Sequence, residues 1–180
     1  MKTLECIKPF LILLFCSIFL ACSSVRVNYD YDKSTNFSNY TSYNYFSDIN
    51  SGLSGLDEKR LFRILDSTLQ SKGYLLAEEP DLYINILSNQ FRNNPNNNVG
   101  VGVGGGGRNV GGGVSFGIPI GNSGIQRMIQ FDFVDAEKDA LIWQASSESG
   151  FRENASPSVR QEKLRAVVKK VFSKFPPENN

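Results

Sequence analysis

Residues 126–147, QRMIQFDFVDAEKDALIWQASS, decide the fold. Ile129, Phe131 and Phe133 alternate with other side chains, which is the period-two pattern of a strand with one buried face. The polar run 135–139 is typical of a turn, and residues 141–147 predict a return strand that carries Trp143, the only tryptophan. Strands joined by so short a turn pair antiparallel. An antiparallel hairpin is therefore the centre of the predicted sheet.

Upstream of this hairpin, residues 25–32, 41–46 and 82–86 repeat the alternation of a half-buried strand. Two stretches instead have the apolar spacing of helices. The first is residues 57–72, which Ser54 and Asp57 would open as a capping box. The second follows Ser156, and its apolar face comprises Leu164, Val167, Val168, Val171 and Phe175.

The order of these elements predicts a single α+β domain over residues 25–177. We expect a mainly antiparallel sheet of about five to six strands, with two helices packed on one face. Residues 93–124 hold most of the glycines and a run of asparagines, so they predict a flexible insert or a loose hairpin. Residues 100–105 match G-x-G-x-x-G, but more glycine follows where a dinucleotide site needs a helix, which favours the flexible insert.

The first 21 residues predict an export signal. Lys2 and Lys8 precede an apolar stretch over residues 9–21, which is shorter than a membrane-spanning helix needs. The sequence Phe19-Leu20-Ala21-Cys22 then resembles the lipobox of bacterial lipoproteins, in which cleavage before the cysteine follows addition of diacylglycerol to its sulfur. Cleavage between Ala21 and Cys22 would leave residues 22–24 as a lipidated tether, and the alternative is an ordinary secreted protein.

The absence of an acidic residue after Cys22 resembles the sorting pattern of outer-membrane lipoproteins, and we expect the domain to face the periplasm. Loss of residues 1–21 removes two of the 19 basic and one of the 18 acidic residues, which leaves a neutral chain. A neutral chain lacks the basic footprint of a nucleic-acid binder. The predicted partners are therefore the lipid membrane, through acylated Cys22, and an unknown envelope protein or ligand.

The chain contains no histidine, so it lacks Ser-His-Asp and Cys-His catalytic arrangements and the commonest metal ligand. Only Cys22 of the three cysteines would survive cleavage, and its sulfur would carry lipid. Asp132 and Asp135 favour a solvated surface over a catalytic carboxylate pair. We expect no enzymatic activity, no metal and no cofactor.

Two other patterns have a structural and a functional interpretation. Asp30, Asp32, Ser34 and Asn36 space their oxygens as in a calcium loop, but the loop's glycine and glutamate are missing, which favours a turn. Four tyrosines alternate on the first two predicted strands, where core packing is the simpler role. They also define a possible partner or ligand surface, which consists of Tyr29, Tyr31, Tyr43 and Tyr45.

Several segments resemble an uncharacterised bacterial lipoprotein family known as domain of unknown function 4136. The likeness is strongest in Phe131-Asp132-Phe133-Val134-Asp135-Ala136, Leu141-Ile142-Trp143-Gln144 and Lys174-Phe175-Pro176-Pro177. It includes the strand Val27-Asn28-Tyr29-Asp30, Lys72-Gly73-Tyr74 and Pro80-Asp81-Leu82. The resemblance implies an exported, usually lipidated domain and brings no established activity.

The sequence thus predicts a non-catalytic lipoprotein of the cell envelope that binds or supports another envelope component. The alternative is a lipoprotein that binds a small molecule or a lipid in an aromatic-lined groove.

Overall fold

The computed structural model describes residues 25–92, 98–101, 116–119 and 124–177. The predicted signal peptide, Ala21 and the lipidated tether at Cys22 lie outside the described residues. Most of the predicted insert over residues 93–124 does so as well. Within the described residues, no helix is both long and apolar enough to cross a membrane.

A six-stranded sheet forms the domain, with the strands in the order β1-β8-β7-β4-β2-β3. The strands of this sheet are β1 (Arg26–Tyr31), β2 (Ser42–Tyr45), β3 (Leu75–Leu76), β4 (Leu82–Arg92), β7 (Ile125–Asp135) and β8 (Ala140–Gly150). The β7–β8 hairpin lies at the centre of its antiparallel part, between β4 and β1. The prediction of an α+β domain with a mainly antiparallel sheet is confirmed.

Two helices, α1 (Gly55–Ser71) and α2 (Pro157–Val171), cover one face of the sheet. Alternate residues of β4, β7 and β8 face them and are buried, among them Ile84, Phe131 and Ala145. Leu65 of α1 and Val168 of α2 are fully buried against this face. The predicted apolar face of the second helix includes Phe175, which instead follows a short 3-10 turn (Phe172–Lys174) beyond the end of α2. Phe175 is nevertheless buried in the same core.

The sheet also contains parallel pairs, which the sequence pattern does not predict. β2 pairs in parallel with β4 and with the two-residue strand β3. The chain leaves β2, passes through α1 and returns beside β2 in the same direction, as a parallel pair requires. Alternation reveals which face of a strand is buried but not which strand lies beside it, so the mainly antiparallel sheet that the sequence predicts does not identify these parallel pairs.

The remaining strands, β5 (Asn98–Val101) and β6 (Phe116–Pro119), lie within the insert. They pair antiparallel as a separate two-stranded sheet. The ends of the insert are held by the main sheet, where β4 and β7 stay paired as far as Arg92 and Ile125. Within the described residues of the insert, the alternative of a hairpin therefore corresponds to β5 and β6.

Candidate functional site

The beginning of β1 and the first turns of α1 and α2 lie at the same end of the domain. Arg26 at the start of β1 pairs with Glu148 of β8. The next residue of β8, Ser149, pairs with Arg127 near the start of β7. Arg127 in turn contacts the first turn of α1. This end of the sheet is termed the β1 end.

A buried carboxylate at the β1 end is held by three arginines. Asp57 in α1 is fully buried, and its Oδ1 accepts a hydrogen bond from Arg60 at 2.8 Å. Its Oδ2 accepts from Arg160 of α2 at 2.8 Å and from Arg127 of β7 at 3.1 Å. The arginine cluster, defined as these four residues, therefore joins both helices to the sheet.

Opposing effects act on the pKa of Asp57. Burial raises the pKa of this carboxyl, but hydrogen bonds and charges from Arg127 and Arg160 more than compensate, so it lies below its usual value. Arg127 is also buried, and its guanidinium lies 3.6 Å from the centre of the Phe151 ring. That position gives a buried cation a favourable contact with the ring face. The cluster is thus an ionised unit, built around the buried Asp57 and Arg127, that fastens the β1 end.

This geometry corrects the capping box that the sequence predicts. Ser54 is the N-cap residue of α1, but its side chain makes no capping hydrogen bond. Asp57 points into the arginine cluster instead of back toward the start of the helix. Arg127 and Arg160 were not candidates from the sequence, because 70 and 103 residues separate them from Asp57.

The four candidate tyrosines fall into two pairs. Tyr29 and Tyr31 lie on β1, Tyr43 and Tyr45 lie on β2, and three strands separate β1 from β2. The candidate surface is therefore not continuous.

The β2 tyrosines are tied to one carboxylate of α1. Tyr43 is fully buried, and its hydroxyl donates to Asp66 Oδ1 at 2.9 Å. The Tyr45 hydroxyl donates to the same atom at 2.7 Å, and its ring stacks on Phe62. Burial, the hydrogen bond and the charge of Asp66 all raise the pKa of both phenols. These contacts fit the role of core packing.

The β1 tyrosines are more accessible. The Tyr29 hydroxyl donates to the backbone oxygen of Lys170 at 2.8 Å, which fastens β1 to the last turn of α2. Tyr31 is 38% exposed and meets the edge of the Phe37 ring. Of the four tyrosines, only Tyr31 presents an exposed side chain.

The residues whose oxygens are spaced as in a calcium loop lead from β1 into turns. Asp32 accepts hydrogen bonds from the backbone and hydroxyl of Ser34, and these lower its pKa. Asn36 accepts from the backbone of Ser38. In the described part of the chain, no group of three or more carboxylate or thiol side chains is arranged to hold a metal ion.

The two aspartates of β7 point to opposite faces and do not form a pair. Asp132 lies on the face away from the helices, where it accepts hydrogen bonds from Gln130 and Gln144. Asp135 is only 3% exposed, so the expectation that it is solvated is wrong. The Tyr40 hydroxyl donates to its Oδ2 at 2.7 Å, and this bond is the main reason that the pKa of Asp135 falls to about 2.

A known protein family matches most of this chain. The pattern of the family described as "Domain of unknown function (DUF4136)" matches residues 27–177. The chain belongs to this family. The matched DUF4136 region runs from the second residue of β1 to the residues just after the last 3-10 turn, so it contains all of the six-stranded sheet except Arg26, and both helices. The sequence resemblance is thus confirmed, whereas a sequence search of the curated proteins finds no match.

Solved structures resemble the DUF4136 chain at low identity. A PDZ domain protein from Parabacteroides distasonis is 12% identical, with a TM-score of 0.56 over 93% of this chain. The chain spans 40% of the length of that protein, and the likeness concerns the fold alone. Two dodecamer structures of PelC from Paraburkholderia phytofirmans are 12% and 11% identical and cover 84% of this chain and 96% of theirs. Both have a TM-score of 0.46.

Proposed function

We propose that this chain is a lipoprotein of the cell envelope, anchored by lipid on Cys22 in the outer membrane and facing the periplasm. The observation that carries the proposal is the order of basic residues, apolar stretch, Ala21 and Cys22 directly before the domain. Two or more acyl chains on one residue give stable anchoring, where a single chain gives marginal binding.

The short distance along the chain between Cys22 and β1 limits how far the domain can lie from the lipid. Arg26, the first residue of β1, lies four residues after Cys22. Four extended residues span at most about 14 Å. A lipid on Cys22 therefore keeps the β1 end, with its arginine cluster, close to the membrane surface.

Within the envelope we propose that the domain binds or supports another component and catalyses no reaction. Two carboxylates join the elements of the domain in a way that suits a scaffold: the buried Asp57 joins both helices to the sheet, and the half-buried Asp66 joins α1 to β2. The alternative, a small-molecule or lipid site on the four tyrosines, finds no common groove for them in the described residues, because three strands part the two pairs.

Substitution of Cys22 tests the anchor. Cys22→Ala should abolish incorporation of a radioactive fatty acid, because no other residue in the lipobox offers a thiol. Cys16→Ala is the matched control: it removes a thiol that cleavage discards, so the label should remain. A chain whose first 22 residues are replaced by an ordinary secretory signal should be recovered in the soluble periplasmic fraction. Fatty-acid label retained by Cys22→Ala would show that a residue other than Cys22 carries the lipid.

Crosslinking in intact cells tests the binding role. The anchored wild-type chain should yield a discrete crosslinked species whose partner is identified by mass spectrometry. The same chain exported without its anchor should yield less of it, since it is no longer held at the membrane. If an unrelated periplasmic protein, expressed and crosslinked in the same way, captured the same partner in equal amount, the partner would not be specific to this chain.

A further inference from the structure

A groove of about 250 Å³ lies between α1 and α2. Its lining comes from half-buried and exposed positions of both helices, while the fully buried Leu61 and Leu65 turn toward the sheet. The groove therefore opens to solvent on the outer side of the helical layer. Its lining residues, apart from Ile64, are polar or basic: Arg60, Arg63, Ser67, Thr68, Gln161 and Arg165.

Positive charge in the groove exceeds what nearby carboxylates neutralise. Arg60 shares Asp57 with Arg127 and Arg160, so that one carboxylate serves three guanidinium groups. Among the residues that the structure describes, Arg63 and Arg165 have no carboxylate within ion-pair distance. No aspartate or glutamate lines the groove. Three like charges in one concave site repel one another, and an anion between them would remove that cost.

The polar neighbours suit an oxyanion. Arg63 and Ser67 are spaced i,i+4 on α1, as are Gln161 and Arg165 on α2, so each pair projects from one side of its helix. The serine hydroxyl and the glutamine amide add hydrogen-bond donors to the guanidinium forks. Guanidinium groups bind carboxylate and phosphate in a bidentate manner. Since two guanidinium groups lack a carboxylate, a phosphoryl group, whose tetrahedral oxygens can reach guanidinium groups on both sides, suits the groove better than a planar carboxylate.

We propose that this groove is an anion-binding site for a phosphoryl group, held between Arg63 of α1 and Arg165 of α2, with Arg60 at its edge. The volume is below the roughly 300–1,000 Å³ of sites for drug-sized ligands, so the groove holds a small charged group and not a large organic molecule. Free phosphate and the phosphate of a lipid headgroup share this chemistry. The site is independent of the proposed lipid anchor.

A titration of the full mature chain in zwitterionic detergent micelles tests the site. Sodium phosphate is added at constant ionic strength against sodium chloride, and the Nε–H signals of the arginine side chains are followed by NMR. The signals of Arg63 and Arg165 should shift and saturate with phosphate and stay unchanged with chloride. Arg63→Gln/Arg165→Gln should weaken phosphate binding at least about tenfold, because two charge-assisted hydrogen-bonding groups are lost.

The matched control is Lys33→Gln/Lys169→Gln, which removes the same charge from two exposed positions outside the groove and should leave affinity unchanged. Doping the micelles with phosphatidylglycerol separates the two sources. Shifts of the two arginines with the lipid as well as with phosphate would assign a headgroup site, and shifts with phosphate alone would assign a soluble anion. No saturable shift with either, or equal phosphate affinity in the Arg63→Gln/Arg165→Gln variant, would overturn the proposal.

Discussion

Asp57→Ala should lower the free energy of unfolding by about 3–5 kcal/mol, the range observed when one member of a buried ion pair is removed. Asp57 is fully buried, and the side chain of its partner Arg127 is only 8% exposed. Without the carboxylate, the Arg127 cation stays buried with no counter-charge. The loss is a large part of the roughly 5–15 kcal/mol that stabilises a typical domain.

Urea denaturation followed by circular dichroism measures this loss. Glu162→Ala is a matched control, because it removes an exposed acidic side chain of α2 and should change stability by no more than about 0.5 kcal/mol. Asp57→Ala/Arg127→Met should lose less than the sum of the two single variants, since no uncompensated charge remains at that position. An Asp57→Ala variant within about 1 kcal/mol of wild type would show that the arginine cluster contributes little to stability.

Acid should destabilise the domain for the same reason. The folded-state pKa values of Asp57 and Asp135 both lie below the unfolded value of about 3.9. A carboxyl whose pKa is lowered by folding contributes stability that is complete above its unfolded pKa and is lost as the pH falls through its folded pKa. Urea midpoints should therefore be constant between about pH 5 and pH 9, below the unfolded pKa of tyrosine, and fall between about pH 4 and pH 2. Asp135→Asn should flatten part of that decline, whereas an unchanged profile would contradict the assigned pKa of about 2.

Trp143→Ala should cost about 3–5 kcal/mol, as truncation of large aromatic side chains in a core does. Trp143 is 1% exposed and packs on three phenylalanines. Its ring centre lies 5.0 Å from that of Phe133, 5.6 Å from that of Phe172 and 4.8 Å from that of Phe175. Removal of the indole would leave a cavity where the β7–β8 hairpin meets the chain that follows α2.

Two further variants identify the source of this cost. Leu141→Ala changes an apolar residue of the same strand that is 52% exposed, so it should have a much smaller effect. Trp143→Phe should be less harmful than Trp143→Ala, because it keeps an aromatic ring and removes an indole N–H that is buried with no hydrogen-bond partner. A Trp143→Ala midpoint close to that of Leu141→Ala would contradict the packing described above.

Much of the sheet follows from local pattern, because burial of one face imposes a period of two on the strand. The sequence thus predicts Phe131 and Phe133 as inward residues, and both are buried. The identity of the strand that pairs with a given segment produces no such periodic pattern in the sequence. The parallel contact of Tyr43 with Leu82 and the antiparallel contact of Arg26 with Glu148 each depend on how the whole chain closes.

The polar interior was harder to predict for a related reason. An aspartate three residues after a serine predicts a capping box when only neighbours in sequence are considered. Asp57 instead meets arginines from β7 and α2, and Asp135 meets a tyrosine 95 residues away. Buried charge needs partners, but the sequence does not say which distant residue supplies them. The groove was missed likewise, because Arg63 and Arg165 become neighbours only when the two helices pack.

The pairing of β1 with β8 joins residues that are far apart in the chain. More than 120 residues separate Arg26 from its partner Glu148, whereas the β7–β8 hairpin closes over a short turn. Local pairing forms quickly, and contacts across a long stretch of chain form slowly. Until β1 joins, the outer edge of β8 displays unpaired backbone groups, which can template pairing with another chain. We therefore expect β1 to be the last of the six strands to enter the sheet, and the edge of β8 to be open to pairing with another chain until it does.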